Sequence, residues 1–179
     1  MKKIILFLFV TLVASCSSIK VSYDYDKSAD FNKYKTYSYT EDALKLGISE
    51  LNRDRMLKAI DAELTARGLS KSDSPDAWID LSVKSQEKTQ ATATNNNMGM
   101  YRGRYGYGGG YTTTSINYEQ YVEGTLFITL IDKTTEKVAW QGRGTKTIDE
   151  DASPEKREKN INWAVKSIFE KYPVKPAKK

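Results

Sequence analysis

The chain has 179 residues, 28 Lys and Arg against 23 Asp and Glu, no histidine and a single cysteine. Without histidine there is no Ser-His-Asp triad, no Cys-His nucleophile and no His/Cys zinc site, which leaves carboxylate, lysine, tyrosine or serine chemistry. The net charge is +5, and the +3 that remains once residues 1–15 are removed is too mild to require a nucleic-acid partner.

In chain order, Lys2 and Lys3 precede an apolar run from Ile4 to Ala14, the layout of a secretory signal. Eleven residues span roughly 16 Å as a helix, well short of the ~30 Å hydrocarbon core of a bilayer. The run closes with Val13-Ala14-Ser15-Cys16. This resembles the lipobox of bacterial lipoproteins. The resemblance implies cleavage after residue 15, a diacylglyceryl thioether on Cys16 and acylation of the new amine. Several acyl chains anchor stably where one does not. Ser17, where enterobacterial lipoproteins retained in the inner membrane carry aspartate, points to the outer membrane. The lack of acidic residues in Ser17-Ser18-Ile19-Lys20 points to its periplasmic face. Loss of Lys2 and Lys3 from 28 basic residues leaves 26 against 23 acidic ones, a mature net charge of +3.

Val21, Tyr23 and Tyr25 alternate with polar residues and predict a strand. Residues 30–34 read as a turn and 35–39 as a second strand. The stretch 24–35 resembles an EF-hand loop only at its start: Ala29 and Lys35 stand where glycine and glutamate are required, so no calcium site is assigned. A helix is predicted over 51–67, with Leu57, Ile60 and Leu64 on one stripe and Glu63 placed to pair with Arg67. Gly68 is suited to the left-handed position after its end, followed by Leu69.

Ile79, Leu81 and Val83 open a third strand that extends toward residue 94. Residues 111–122 and 125–131 predict two more. The second has Leu126, Ile128 and Leu130 on one face and Phe127 and Ile131 on the other, the pattern of a central strand. After a turn at 132–137, Val138 and Trp140 begin the last strand. Asp149-Glu150-Asp151 reads as negative charge beside a helix N-terminus, with a calcium site or paired catalytic carboxylates as sharper alternatives. Ser153 and Pro154 then cap and open a helix with Ile161, Ala164, Val165, Ile168 and Tyr172 at helical spacing. Residues 173–179 form a basic tail expected to be disordered.

The organisation is therefore a signal peptide over 1–15, one domain over 16–172 and a tail. The fold class is α+β: a mostly antiparallel sheet with two amphipathic helices on one face, in the order β-β-α-β-β-β-α, with about six strands when 111–122 and 125–131 count apart. The helix residues Leu57, Ile60, Leu64, Ile161, Val165 and Ile168 are expected to face Ile79, Leu81, Leu126 and Ile128.

The run "VSYDYDKSADFNKYKTYSYT", the helix end "ELTARGL", the strand "AWIDLSV" and the hairpin "GTLFITLIDKTTEKVAWQGRG" together resemble the bacterial lipoproteins catalogued as domain of unknown function 4136. The resemblance covers nearly all of residues 20–172, implies a secreted, lipid-anchored domain with no assigned activity, and supplies no catalytic residues to carry over; no cofactor is expected.

One segment stands apart. "NNNMGMYRGRYGYGGGY", residues 95–111, holds six of the eleven glycines and four of the twelve tyrosines. Glycine makes ordering costly, so it reads as the tip of a long hairpin. It is either a mobile connector or a contact loop in which Tyr101, Arg102, Arg104, Tyr105, Tyr107 and Tyr111 meet an envelope protein or a glycan. Arg, Gly and Tyr also interleave in RNA-binding segments, but an exported protein meets little RNA. The expected function is a non-enzymatic, lipid-anchored binding or structural module of the envelope. The alternative is a carboxylate-dependent hydrolase of envelope glycans, which would need two carboxylates converging in a cleft. The oligomeric state is not readable from the sequence.

Overall fold

The computed structural model describes residues 19–97 and 112–177. Strands β1 (Lys20–Tyr25), β2 (Thr36–Tyr39), β3 (Ser70–Lys71), β4 (Ala77–Asn97), β5 (Thr112–Asp132) and β6 (Val138–Thr147) form one sheet in the order β1-β6-β5-β4-β2-β3. The pairs β1/β6, β6/β5 and β5/β4 are antiparallel, whereas β2 runs parallel to β3 and β4. The fold is α+β, as expected. The parallel pair follows from the helix lying between its strands, because a parallel return needs a crossover.

Helices α2 (Glu50–Thr65) and α3 (Pro154–Phe169) cover one face, preceded by a short α1 (Glu41–Leu44). Ser49 and Ser153 cap the two long helices, their hydroxyls accepting from the amides of Asn52 and Lys156. Helix α2 stops at Thr65, two residues before its expected end. Gly68 takes φ +85°, and the Leu69 N–H donates back to the Leu64 carbonyl at 3.1 Å.

Two-residue alternation places Ile79 and Leu81 of β4, Ile128 and Leu130 of β5 and Trp140 of β6 toward the helices. There they join Ile60, Leu64, Val165, Ile168 and Phe169 in one core, with Leu57 and Ile161 packed at its margin. The residues expected at 30–34 as a turn instead form a 3₁₀ turn (Phe31–Lys33), because Phe31 and Tyr34 are pulled into the core. Phe31 meets Tyr172 edge-on at 5.7 Å, and Tyr172 meets Trp140 at 5.2 Å. Beyond Pro173 the tail is docked rather than disordered as far as Ala177, whose N–H donates to the Ala66 carbonyl at 3.0 Å. Val174 packs against the core.

One expectation is corrected. Residues 111–122 and 125–131 are not separate strands: β5 runs unbroken from Thr112 to Asp132. Gly124 does not interrupt it, because the pairing with β4 continues through Ser85↔Gly124 without a shift. A cross-strand ladder overrides the weak local signal of one glycine.

Candidate functional site

The ladder between β4 and β5 is continuous from Ala77↔Asp132 to Asn97↔Thr112. Its first half lies in the sheet. Among the described residues, β4 has no second strand neighbour beyond Ile79, and β6 follows β5 only as far as Glu123↔Thr147. The remainder is a two-stranded ribbon roughly 40 Å long at ~3.4 Å per residue. Residues 98–111 join its far end.

The sequence-predicted site residues Tyr101, Arg102, Arg104, Tyr105, Tyr107 and Tyr111 belong to that connection and lie outside the described residues, as does Cys16. The ribbon fixes where the two ends of the connection are. On the face that continues the helix-covered side of the sheet, Ala91 pairs with Tyr118 and Ala93 with Ile116. Tyr118 is 70 % exposed and Ile116 55 %. Tyr121, one position out of phase, belongs to the opposite face with Lys88, which makes an ion pair with Glu123.

At the base of the ribbon, on the same face, lies an open groove of about 420 Å³. Ile48 and Met56, Val83 and Leu126, and Ile148 and Ile161 supply its apolar walls, from the α2 approach, the sheet and the α3 approach respectively. Ile148 sits over Gly124 so closely that a Cβ there would be 2.6 Å from it. Lys146 enters the wall, donating to Asn160 Oδ1 at 3.0 Å and lying 4.9 Å from the Trp163 ring centroid. Burial, helped by the charge of Lys156, holds its pKa below the usual lysine value. This groove escaped the sequence reading because its lining comes from stretches scattered along the chain from Ile19 to Ala164. The only signal was Ile148, an apolar residue left over at the end of β6.

The acidic run borders the groove. Asp149 accepts from Lys156 Nζ at 2.6 Å, which keeps its carboxyl below the usual range. Arg157 donates to the carbonyls of Glu150 and Ala152. The run is thus tied into the start of α3. Asp26 likewise accepts from the amide and hydroxyl of Ser28, a turn contact. No group of three His, Cys, Asp or Glu that could hold a metal occurs among the described residues.

A second polar centre was missed by sequence. Asp61 Oδ1 accepts from Tyr37 at 2.8 Å and from Tyr39 at 2.7 Å, while Oδ2 takes Lys71 Nζ at 2.7 Å. Desolvation first, then the bond to Asp61, raises both phenols well above their ordinary pKa. They stay protonated donors, so the cluster clamps α2 onto β2 rather than moving protons.

The fold and these features define a two-layer α+β domain that carries a projecting β-ribbon with an apolar groove at its root. The family model described as "Domain of unknown function (DUF4136)" matches residues 21–174, and the chain belongs to that family. No curated protein matches the sequence. Among solved structures it is similar to a PDZ domain protein from Parabacteroides distasonis ATCC 8503, at 17 % identity and a TM-score of 0.46, covering 89 % of this chain and 37 % of that one. It is also similar to the PelC dodecamer from Paraburkholderia phytofirmans, in two crystal forms, at 10 % identity and a TM-score of 0.47, covering 85 % of this chain and 95 % of that one. At these values the likeness bears on neither function nor partner.

Proposed function

We propose that the protein is a lipid-anchored component of the cell envelope, held through Cys16 to the periplasmic face of the outer membrane, and that it works as a non-enzymatic binding or structural module. The β4/β5 ribbon is its contact element. It presents the Gly- and Tyr-rich segment to an envelope protein or a glycan, needs no cofactor and does not engage nucleic acid. The observation that carries this reading is the unbroken ladder to Asn97↔Thr112, which sets the ends of that segment at the far tip of a ribbon. An isolated two-stranded ribbon is at best marginally stable in water, so a long one with an apolar face suits a partner.

Two further points support it. Of the two acidic residues lining the groove, Asp149 and Glu150, Asp149 is ion-paired with Lys156 and held ionised, the opposite of a raised general acid. Among the described residues no helix is long and apolar enough to cross a membrane, and anchoring through an acyl group at Cys16 needs none.

The experiment has two arms. Palmitate labelling of the full chain and of Cys16→Ala tests the anchor; an unlabelled wild type, or a labelled variant, refutes it. Because Asn97 and Thr112 are paired, Asn-Gly in place of residues 98–111 closes the hairpin with a two-residue turn. The trimmed chain is expected to melt as the parent does and to lose its partner in a pull-down from envelope extract. Retention of every partner refutes the contact role of the segment.

A further inference from the structure

The apolar stripe on the ribbon and the apolar groove at its root share one face of the same two strands. Positions Val83 and Leu126 form the groove floor, and Ala91, Ala93, Ile116 and Tyr118 form the stripe. Leu126 and Ile116 are ten residues apart on β5, roughly 34 Å at ~3.4 Å per residue. The ladder between them has no register shift. A chain therefore cannot fold its own stripe back into its own groove without breaking the ribbon.

We infer that the stripe docks in the groove of a second copy of this chain. Three observations converge on that occupant. The groove is apolar on three sides and of a size, about 420 Å³, that lies in the range of sites that bury a small ligand, with room for an isoleucine and a tyrosine side chain. Two of its charged lining residues are already engaged, Asp149 by Lys156 and Arg157 by backbone carbonyls, and Lys146 donates to Asn160, so the apolar walls favour a largely apolar guest. Stripe and groove also lie on one surface, which lets two copies related by a two-fold axis bury both features at once. A ribbon face roughly 40 Å by ~10 Å, taken with the surface it covers on the other copy, buries at most about 800 Å² per copy, the size of a standard stable interface. Glu87, Thr89 and Gln120 separate the two contacts and keep them at opposite ends of the face.

The inference rests on the ribbon being the contact element, and the test separates the two claims. In cells making the full chain, Tyr118 is replaced by the photo-crosslinker p-benzoylphenylalanine and the cells are irradiated. The expected product has twice the chain mass, and its adduct maps to peptides containing Met56 or Ile161 of the second copy. Ile48→Asp, a change in the half-buried groove wall, is expected to cut its yield at least tenfold. In the purified full chain, Ile116→Asp, at a position already more than half exposed, is expected to shift sedimentation from dimer to monomer. Adducts confined to other proteins overturn self-docking but leave the ribbon as contact element. No adduct, together with a trimmed chain that keeps its pull-down partners, overturns both. A doubled mass that persists in Ile116→Asp overturns the stripe as the docking surface.

Discussion

Arg67 Nη2 donates to the carbonyl of Phe169 at 2.9 Å, and its guanidinium lies 5.2 Å from the centroid of the same residue's ring. Through this contact the C-terminal end of α2 is fastened to that of α3. The other terminal nitrogen pairs with Glu63 at 2.6 Å, and the Arg67 side chain is 2 % exposed. Arg67→Ala removes the cation and leaves a carboxylate and a carbonyl without their partner. Breaking such a buried pair costs about 3 kcal/mol. A thermal or urea melt checks it, and Arg67→Lys is expected to recover only part of the loss because one ammonium cannot serve both acceptors.

Asp132 sets an acid limit. It is buried at the β5–β6 turn and accepts from Tyr34, Lys33 and the amides of Thr134 and Thr135. Lys33 first, then these bonds, hold its carboxyl far below the usual range against the raising effect of burial. A depressed pKa stabilises the fold above the unfolded value of ~3.9 and ceases to do so as pH falls from there through the folded value. The melting temperature is therefore expected to be flat from pH 7 to 5 and to drop below about pH 4. Asp132→Asn is expected to cost about 2 kcal/mol at neutral pH and to weaken that acid drop. An unchanged acid drop in the variant counts against Asp132 as its source.

The sheet core has a gradient that mutation can read. Ile128 is 0 % exposed, whereas Leu126, on the groove floor, is 7 % exposed. Truncation to alanine is expected to cost about 4 kcal/mol at Ile128 and about 2 kcal/mol at Leu126, where part of the neighbourhood is already open. Equal losses in paired denaturant titrations would mean the groove is closed in solution.

Gly142 leaves no room for a methyl group. A Cβ there would stand 2.5 Å from Ile168 and 2.6 Å from the Trp140 ring. Both neighbours are buried, so neither yields easily. Gly142→Ala is expected to destabilise by about 1–3 kcal/mol through overpacking. Gly47→Ser, at an exposed position where nothing lies within 4 Å of an added Cβ, serves as the contrasting control and is expected to change stability little.

What the sequence determined by itself was whatever depends on neighbours in the chain. The caps Ser49 and Ser153 show this unevenly: Ser153 is legible because Pro154 follows it, while Ser49 is not, and the predicted helix start at residue 51 falls one residue late. The stop at Gly68, the apolar stripes of both helices and the central place of β5 were also legible, because helix and strand periods are local properties. The composition of residues 95–111 and the lipobox-like end at Cys16 were legible in the same way. Only the tertiary structure decided that Gly124 sits inside one long strand, because the ladder with Ser85 closes across a loop. It also decided that Tyr37, Tyr39 and Lys71 converge on Asp61, and that positions from 48 to 161 meet in one groove. These depend on register and on crossover through a helix, which fix contacts between residues far apart in the chain and leave no periodic trace in the residues themselves.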